Sequence, residues 1–131
     1  MSFAWVRYLD LARELAGKPA TTESREAKLR SAISRAYYAA FNEARAFLET
    51  IRGPLPYNVN EHDYVKNWYL NHRDRLQRQV GTDLDRLRQD RNHADYDNEW
   101  KGGIGALDKT VESTLIIAAR TIANVGQLSK T

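Results

Sequence analysis

The stretch Ser24–Arg52, SREAKLRSAISRAYYAAFNEARAFLETIR, decides the fold. Its apolar residues recur at steps of three and four, the spacing that places side chains on one side of an α-helix. They are Leu29, Ile33, Ala36, Tyr37, Ala40, Phe41, Ala44, Phe47, Leu48 and Ile51. Tyr37 falls on this face and Tyr38 on its flank, so we expect both to pack in the core with hydrogen-bonded hydroxyls. Gly53 and Pro54 follow and predict the end of the helix.

The rest of the chain repeats this helical spacing, and no strand-length alternating run competes with it. Further helices are predicted over Trp5–Leu15 with Ser2 as N-cap, over Glu61–Gln79, over Asp83–Asn92 and over Ala106–Leu128. Gly81 is predicted to close the third helix, and Thr82 with Asp85 to open the fourth as a variant capping box. The predicted fold is all-α, an up-and-down helical bundle of about five helices in which residues 1-131 form a single domain.

The last predicted helix is apolar around much of its circumference. Its main stripe consists of Leu107, Val111, Leu115, Ala118, Ile122 and Val125, and it is widened by Ile116, Ile117 and Ala119. A helix of this kind is either central in the bundle or covered by a second chain.

Composition excludes several classes of protein. A chain of 131 residues is too short for a two-domain enzyme, and without cysteine it can form no disulfide scaffold, zinc finger or thiol nucleophile. Its three histidines, His62, His72 and His93, show no metal-ligand spacing. No uncharged run approaches the roughly 18 apolar residues of a membrane span, and acidic residues come too early for a signal peptide. We therefore expect a cytoplasmic protein with no cofactor, no metal ion and no membrane association.

The cationic residues are unusual in kind and in position. The net charge is only +3, but arginine supplies 14 of the 20 cationic residues, and six of these lie between Arg73 and Arg91. The planar guanidinium fork suits phosphates and carboxylates. This pattern predicts a surface for a polyanion with Arg75, Arg78 and Arg86 as phosphate-binding candidates; the alternative is a set of solvated helix faces rich in arginine.

The stretch Arg86–Asp97, RLRQDRNHADYD, crowds guanidinium groups, an imidazole, a phenol and carboxylates together. His93 is the side chain best able to exchange a proton near neutral pH. Residues seven apart on a regular helix point within about 20° of each other, so Arg86 would share a face with His93. Arg88 diverges from His93 by about 140° and would converge only if the helix ended between them. The alternative is a solvated helix end in which Asp and Arg side chains pair locally.

Two segments resemble the hallmarks of the HEPN superfamily. Leu29–Arg45, LRSAISRAYYAAFNEAR, resembles its S-R-A-Y-Y-A-x-F-x-A-A helix. Arg91–Asp97, RNHADYD, resembles its R-N-x-A-D-Y end, here of the Ala-Asp-Tyr-Asp type. Both segments occur in order in a helical chain, and the resemblance spans Ser24 to Ile122.

The resemblance implies a helical bundle that homodimerises through the helices bearing the motifs. Many members are metal-independent endoribonucleases with a motif in which four to six residues separate an Arg from a His, often with a polar residue directly after the Arg. Many prokaryotic members are toxins encoded beside a nucleotidyltransferase antitoxin. By resemblance, this protein is expected to be a toxin-like component of such a pair that cleaves or binds RNA or a nucleotide.

More than one register of the motif stays open. Arg88 with His93 satisfies Arg-x4-His, and Arg86 with His93 satisfies Arg-x6-His. A further register begins at Arg91-Asn92, which best matches the family's Arg-polar pair, and it places Tyr96 where the catalytic His would stand. The candidate catalytic residues implied by the resemblance are Arg88, Arg91, Asn92, His93 and Tyr96. The Tyr96 register also favours the alternative of a non-catalytic module that binds a nucleotide or a partner protein.

Overall fold

The computed structural model describes residues 3–17 and 22–130. Its helices are α1 (Val6–Leu15), α2 (Thr22–Arg52), α3 (Glu61–Leu70), α4 (Arg75–Tyr96) and α5 (Gly103–Leu128). No strand occurs in these two ranges, and the predicted all-α bundle is confirmed. The N-cap predicted at Ser2 lies outside the described residues. No helix in the described part of the chain is both long enough and apolar enough to cross a membrane.

Helix α2 lies at the centre of the bundle and contacts each of the other four helices. Its predicted apolar face is buried, with the side chains of Leu29, Ile33, Tyr37 and Leu48 among the most deeply enclosed. Of the residues predicted on this apolar face, only Ile51, in the last turn of α2, is exposed. Burial of each large apolar side chain contributes about 1.5–3 kcal/mol, so this face is a major source of stability for the fold.

The stop predicted at Gly53-Pro54 is confirmed. Gly53 has a φ of +86°, a left-handed conformation that costs glycine little because it has no Cβ. Its amide donates to the carbonyl of Glu49 at 2.8 Å, which satisfies one of the last carbonyls of α2.

The predicted boundary between the third and fourth helices is wrong. Helix α3 ends at Leu70, and α4 begins at Arg75 after the N-cap Asp74, whose carboxylate accepts from the amide of Gln77 at 2.9 Å. Gly81 is buried inside α4, where an added Cβ would lie 2.8–2.9 Å from atoms of Leu70. The glycine therefore permits close packing of α3 on α4 and does not end a helix. Thr82 and Asp85 do not open a helix, and α4 continues past Asn92 to Tyr96.

Helix α5 packs on α1, α2 and α4. These contacts agree with the first of the two explanations for its wide apolar surface, a central position in the bundle. Two threonines, Thr114 and Thr121, join its buried face, and the Thr121 hydroxyl donates to the carbonyl of Ile117 at 2.9 Å. Leu115 and Ile122 of the predicted stripe are only partly buried, and Ile116 is 67% exposed. Coverage of this exposed side by a second chain stays a prediction.

Candidate functional site

Helix α4 is regular through Tyr96, and this regularity sorts the predicted site residues onto different faces. Arg86 and His93, seven residues apart, lie on one face with an axial separation of about 10 Å at 1.5 Å per residue. Arg88 does not converge on His93, because the helix does not end between them. Within one chain the helix thus aligns the Arg-x6-His pair and not the Arg-x4-His pair.

His93 is held by a carboxylate one turn further along the chain. Its Nδ1 lies 2.7 Å from Oδ2 of Asp97, and the imidazole is 60% exposed. Asp97 is the C-cap residue of α4, and its amide donates to the carbonyl of His93 at 3.1 Å. A carboxylate on Nδ1 favours the tautomer that carries its proton there, which leaves Nε2 as a proton acceptor.

A cavity of about 290 Å³ opens beside this pair. It is lined by His93, Asp97, Glu99, Trp100 and Lys101. Imidazole and carboxylate groups can move or hold a proton, an indole can stack on a base, and an ammonium can pair with phosphate. The predicted site did not include Trp100 and Lys101, because they follow α4 in the loop after the recognised motif.

Asp90 is a further site residue that the sequence analysis did not select. Its side chain is largely buried on the face shared by Arg86 and His93, and its Oδ2 lies 3.5 Å from Nε of Arg86. Burial raises the pKa of Asp90, while the positive charge of Arg86 opposes that rise. The spacing, four residues after Arg86 and three before His93, is the signal that could have identified it.

Arg88 points to α3 instead of the cavity. Its Nη1 donates to Oδ1 of Asp63 at 2.5 Å, and this hydrogen bond holds the pKa of Asp63 below its usual value. Arg88 and His93, the pair that satisfies Arg-x4-His, therefore lie on different faces of α4 in the folded chain.

His62, at the start of α3, contacts the recognised motif of α2. The Tyr37 hydroxyl hydrogen-bonds to its Nδ1, and the ring of Phe41 lies 4.5 Å from the imidazole between centroids. Burial lowers the pKa of His62, and the positive charges of Arg88 and Arg91 lower it further. Sequence spacing contains no signal for this contact, because Tyr37 and His62 belong to different helices.

The two tyrosines of the α2 motif have different environments. Tyr37 is buried, as predicted, and desolvation raises the pKa of its phenol, so it remains a hydrogen-bond donor. Tyr38 is only partly buried, and its ring packs edge-on against Tyr37 at 5.3 Å between centroids. The expectation of core packing is thus confirmed for Tyr37 and confirmed in part for Tyr38, which is partly buried and packs against the core.

Arg91 is enclosed by aromatic rings. Its guanidinium carbon lies 5.2 Å from the ring centre of Tyr38 and 5.6 Å from that of Tyr96, and its Nε lies 2.8 Å from Oδ2 of Asp95. Its Nη1 also donates to Oδ1 of Asn92 at 3.2 Å. Tyr96 itself is 71% exposed. In the register that begins at Arg91, the guanidinium thus makes cation–π contacts with tyrosine rings, and it lies on a different face of α4 from His93.

The remaining arginine candidates lie at the other end of α4. Arg75 begins the helix, about 27 Å from His93 along the axis at 1.5 Å per residue. Arg78 donates to the carbonyl oxygens of His72 and Arg73, in the turn between α3 and α4. Neither arginine shares the His93 cavity within one chain.

A larger cavity of about 750 Å³ lies near the C-terminal end of α5, and His72 is the histidine in its wall. Glu43 and Asp74 also line it, and no arginine or lysine among the described residues does. Carboxylates without a cation repel phosphate, so the smaller cavity is the better candidate for an RNA site despite its size. Among the described residues, no group of three or more His, Asp or Glu side chains is arranged to hold a metal ion.

Comparisons of the chain with protein families, curated proteins and solved structures found no match.

Proposed function

We propose that the protein binds single-stranded RNA in the cavity beside His93 and cleaves it there in a metal-independent reaction. The observation that carries the proposal is the 2.7 Å contact between Nδ1 of His93 and Asp97, which leaves Nε2 of an exposed imidazole free to accept a proton. An indole and an ammonium group, from Trp100 and Lys101, line the same cavity. The indole suits the base, the imidazole suits the ribose hydroxyl, and the ammonium suits the phosphate of one nucleotide.

The reaction is a transesterification. The ribose 2′-hydroxyl gives its proton to Nε2 of His93 while its oxygen forms a bond to the adjacent phosphorus. The bond from phosphorus to the 5′-oxygen of the next nucleotide breaks, and that oxygen takes the proton from the imidazolium. The products are a 2′,3′-cyclic phosphate and a 5′-hydroxyl. Asp97 stabilises the imidazolium, and Lys101 supplies positive charge opposite the phosphorane.

Arg86 extends the site along α4. It lies on the His93 face, about 10 Å away along the axis at 1.5 Å per residue, and its side chain is 57% exposed. A guanidinium at that position is suited to a phosphate further along the bound strand.

The proposal includes a homodimer and a nucleotidyltransferase antitoxin as partner, both taken from the resemblance to HEPN proteins. The resemblance implies that the two copies meet through the motif-bearing helices, which are α2 and α4 in this chain. A dimer would also bring two arginine-rich α4 surfaces to one assembly. A monomer by light scattering at micromolar concentration would contradict the dimer.

RNA cleavage in the presence of EDTA tests the catalytic proposal. End-labelled single-stranded RNA is incubated with the protein, and the products are examined for a 2′,3′-cyclic phosphate. The H93Q variant is expected to lose about 100-fold or more in rate, the usual contribution of a positioned acid–base group. H72Q, which changes a histidine outside the cavity, is the matched control and keeps the wild-type rate. Equal cleavage by wild type and H93Q, or no cleavage by wild type, would contradict the proposal.

A second candidate function is RNA or nucleotide binding without turnover. It is favoured by the two motif arginines Arg88 and Arg91, which are paired with Asp63 and Asp95 on faces away from His93. In this case H93Q binds RNA as tightly as the wild type, and neither protein cleaves it. Unchanged RNA affinity in the R88A/R91A double variant would exclude these arginines from binding in either function.

A further inference from the structure

Arg30, on α2, reaches the end of α4 that carries His93. Its Nη1 lies 3.3 Å from the carbonyl oxygen of His93, 3.0 Å from that of Ala94 and 2.7 Å from that of Asp97. The last carbonyls of a helix have no amide partners within the helix, and a cation there also interacts favourably with the helix dipole. One guanidinium group from another helix therefore holds the backbone on both sides of the His93–Asp97 pair.

The same guanidinium contacts the other wall of the cavity. Its central carbon lies 5.7 Å from the ring centre of Trp100, and its Nε is 3.3 Å from Oε1 of Glu26. The Arg30 side chain itself is only 16% exposed. Arg30 thus links the proton-exchanging wall of the cavity with its aromatic wall.

We propose that Arg30 is a positioning residue of this site, which sets the orientation of the His93 imidazole relative to Asp97 and Trp100. The proposal rests on the proposed function for its kinetic consequence, but its structural consequence can be measured without RNA. A guanidinium presents several donors in a rigid plane and can stack on an indole, whereas a lysine ammonium is a compact point charge with three rotatable donors. Nη1 alone makes the three carbonyl contacts, while Nε reaches Glu26 and the guanidinium lies over the indole of Trp100. Lysine at position 30 keeps the charge and the aliphatic stem, but its one nitrogen cannot make the carbonyl, Glu26 and indole contacts together.

A matched arginine on the same helix separates positioning from simple helix attachment. Arg25, five residues earlier on α2, forms an ion pair with Asp108 of α5 and so joins two helices, and neither residue lines the cavity. If Arg30 only attaches one helix to another, R30K and R25K should have similar consequences at His93. If Arg30 positions the site, only R30K should alter the imidazole.

The test combines histidine NMR with RNA kinetics. In wild type, the 15N shifts of the His93 ring are expected to show one tautomer, protonated at Nδ1. In R30K, and in W100L as a second variant that removes the stacking surface, the shifts are expected to move toward a mixture of tautomers. R25K should leave them in place. With RNA, R30K is expected to lower kcat about 10- to 100-fold with KM changed less than about twofold, as for misplacement of a reacting group.

Each outcome addresses one of the two proposals. Unchanged His93 shifts in both R30K and W100L, or equal movement in R25K, would overturn the role of Arg30. Movement in R30K and W100L alone supports the role, whether or not the wild type cleaves RNA. Absence of cleavage by a wild type whose His93 shifts respond to R30K would overturn the proposed function and leave the positioning role standing.

Discussion

The hydroxyl of Tyr37 on α2 hydrogen-bonds to Nδ1 of His62 on α3, and the two rings stack with their centroids 5.6 Å apart. A raised phenol pKa keeps the proton on Tyr37, so the phenol donates and the neutral imidazole accepts. The contact connects the most recognisable motif of the chain to a histidine outside both motifs. It also makes the fold sensitive to pH.

Acidification from pH 7 to pH 5.5 is expected to destabilise the protein through His62. Its folded pKa is lowered by burial and by the charges of Arg88 and Arg91, so the unfolded chain, with the ordinary value of 6.5, binds the proton more readily. The free energy of unfolding therefore decreases as the pH falls through about 6.5. Thermal unfolding as a function of pH measures the effect, and the H62Q variant should show a smaller decrease over the same range.

The contribution of Arg88 to this behaviour can be isolated. R88Q removes a positive charge near His62 and should raise the pKa of the imidazole, whereas R88K keeps the charge and should change it less. NMR titration of the imidazole proton provides the measurement. A wild-type pKa of His62 at or above 6.5 is incompatible with this account.

The Gly81→Ala substitution is expected to lower the free energy of unfolding by about 1–3 kcal/mol, as overpacking of a core does. The added Cβ would lie 2.9 Å from the backbone nitrogen of Leu70, which cannot move aside as a flexible side chain can. Gly126→Ala, in α5, is the matched control, because nothing lies within 4 Å of its added Cβ. Removal of a helical glycine there should stabilise by up to about 1 kcal/mol. Urea unfolding distinguishes the two, and equal effects would mean that Gly81 has no packing role.

The Arg120→Ala substitution is expected to destabilise the protein by about 1–3 kcal/mol, the usual cost of removing one partner from a buried acceptor, because Arg120 itself is 48% exposed. Asp83 on α4 is buried, and its two carboxylate oxygens accept from Nε and Nη2 of Arg120 at 2.9 and 2.7 Å. Gln79 donates to the same carboxylate at 3.0 Å. Chemical denaturation of the two single variants and of D83A/R120A gives the coupling. The double variant should be less destabilised than the sum of the single variants, and additive effects would argue against a coupled pair.

Trp100→Ala is expected to weaken binding of single-stranded RNA by about 1–3 kcal/mol, the usual value of one base stacked on an aromatic ring. Trp100 lines the cavity beside His93, whereas Tyr57, 92% exposed in the loop between α2 and α3, does not. Tyr57→Ala is therefore the control and should keep the wild-type affinity. Fluorescence anisotropy with labelled RNA at fixed salt provides the comparison. Equal affinities for W100A and wild type would remove the indole from the proposed site.

Local patterns predicted much of the fold. The steps of three and four in Ser24–Arg52 require only neighbouring turns of one helix, and Gly53 acts on the carbonyls of the turn before it. The shared face of Arg86 and His93 likewise follows from helix geometry alone, once α4 is regular. The Gly81 error has a local origin too, since glycine can end a helix or allow close packing, and only a neighbouring helix decides which.

By itself, the sequence determined the number of helices, most of their apolar faces and the concentration of arginine between Arg73 and Arg91, because these depend on residue type and on periodicity within a few turns. Tertiary structure alone decided which polar groups meet. Arg88 turns to Asp63, His62 receives the Tyr37 hydroxyl, and Arg30 holds the carbonyls around His93. Such contacts join residues far apart in the chain, and their partners depend on how whole helices pack.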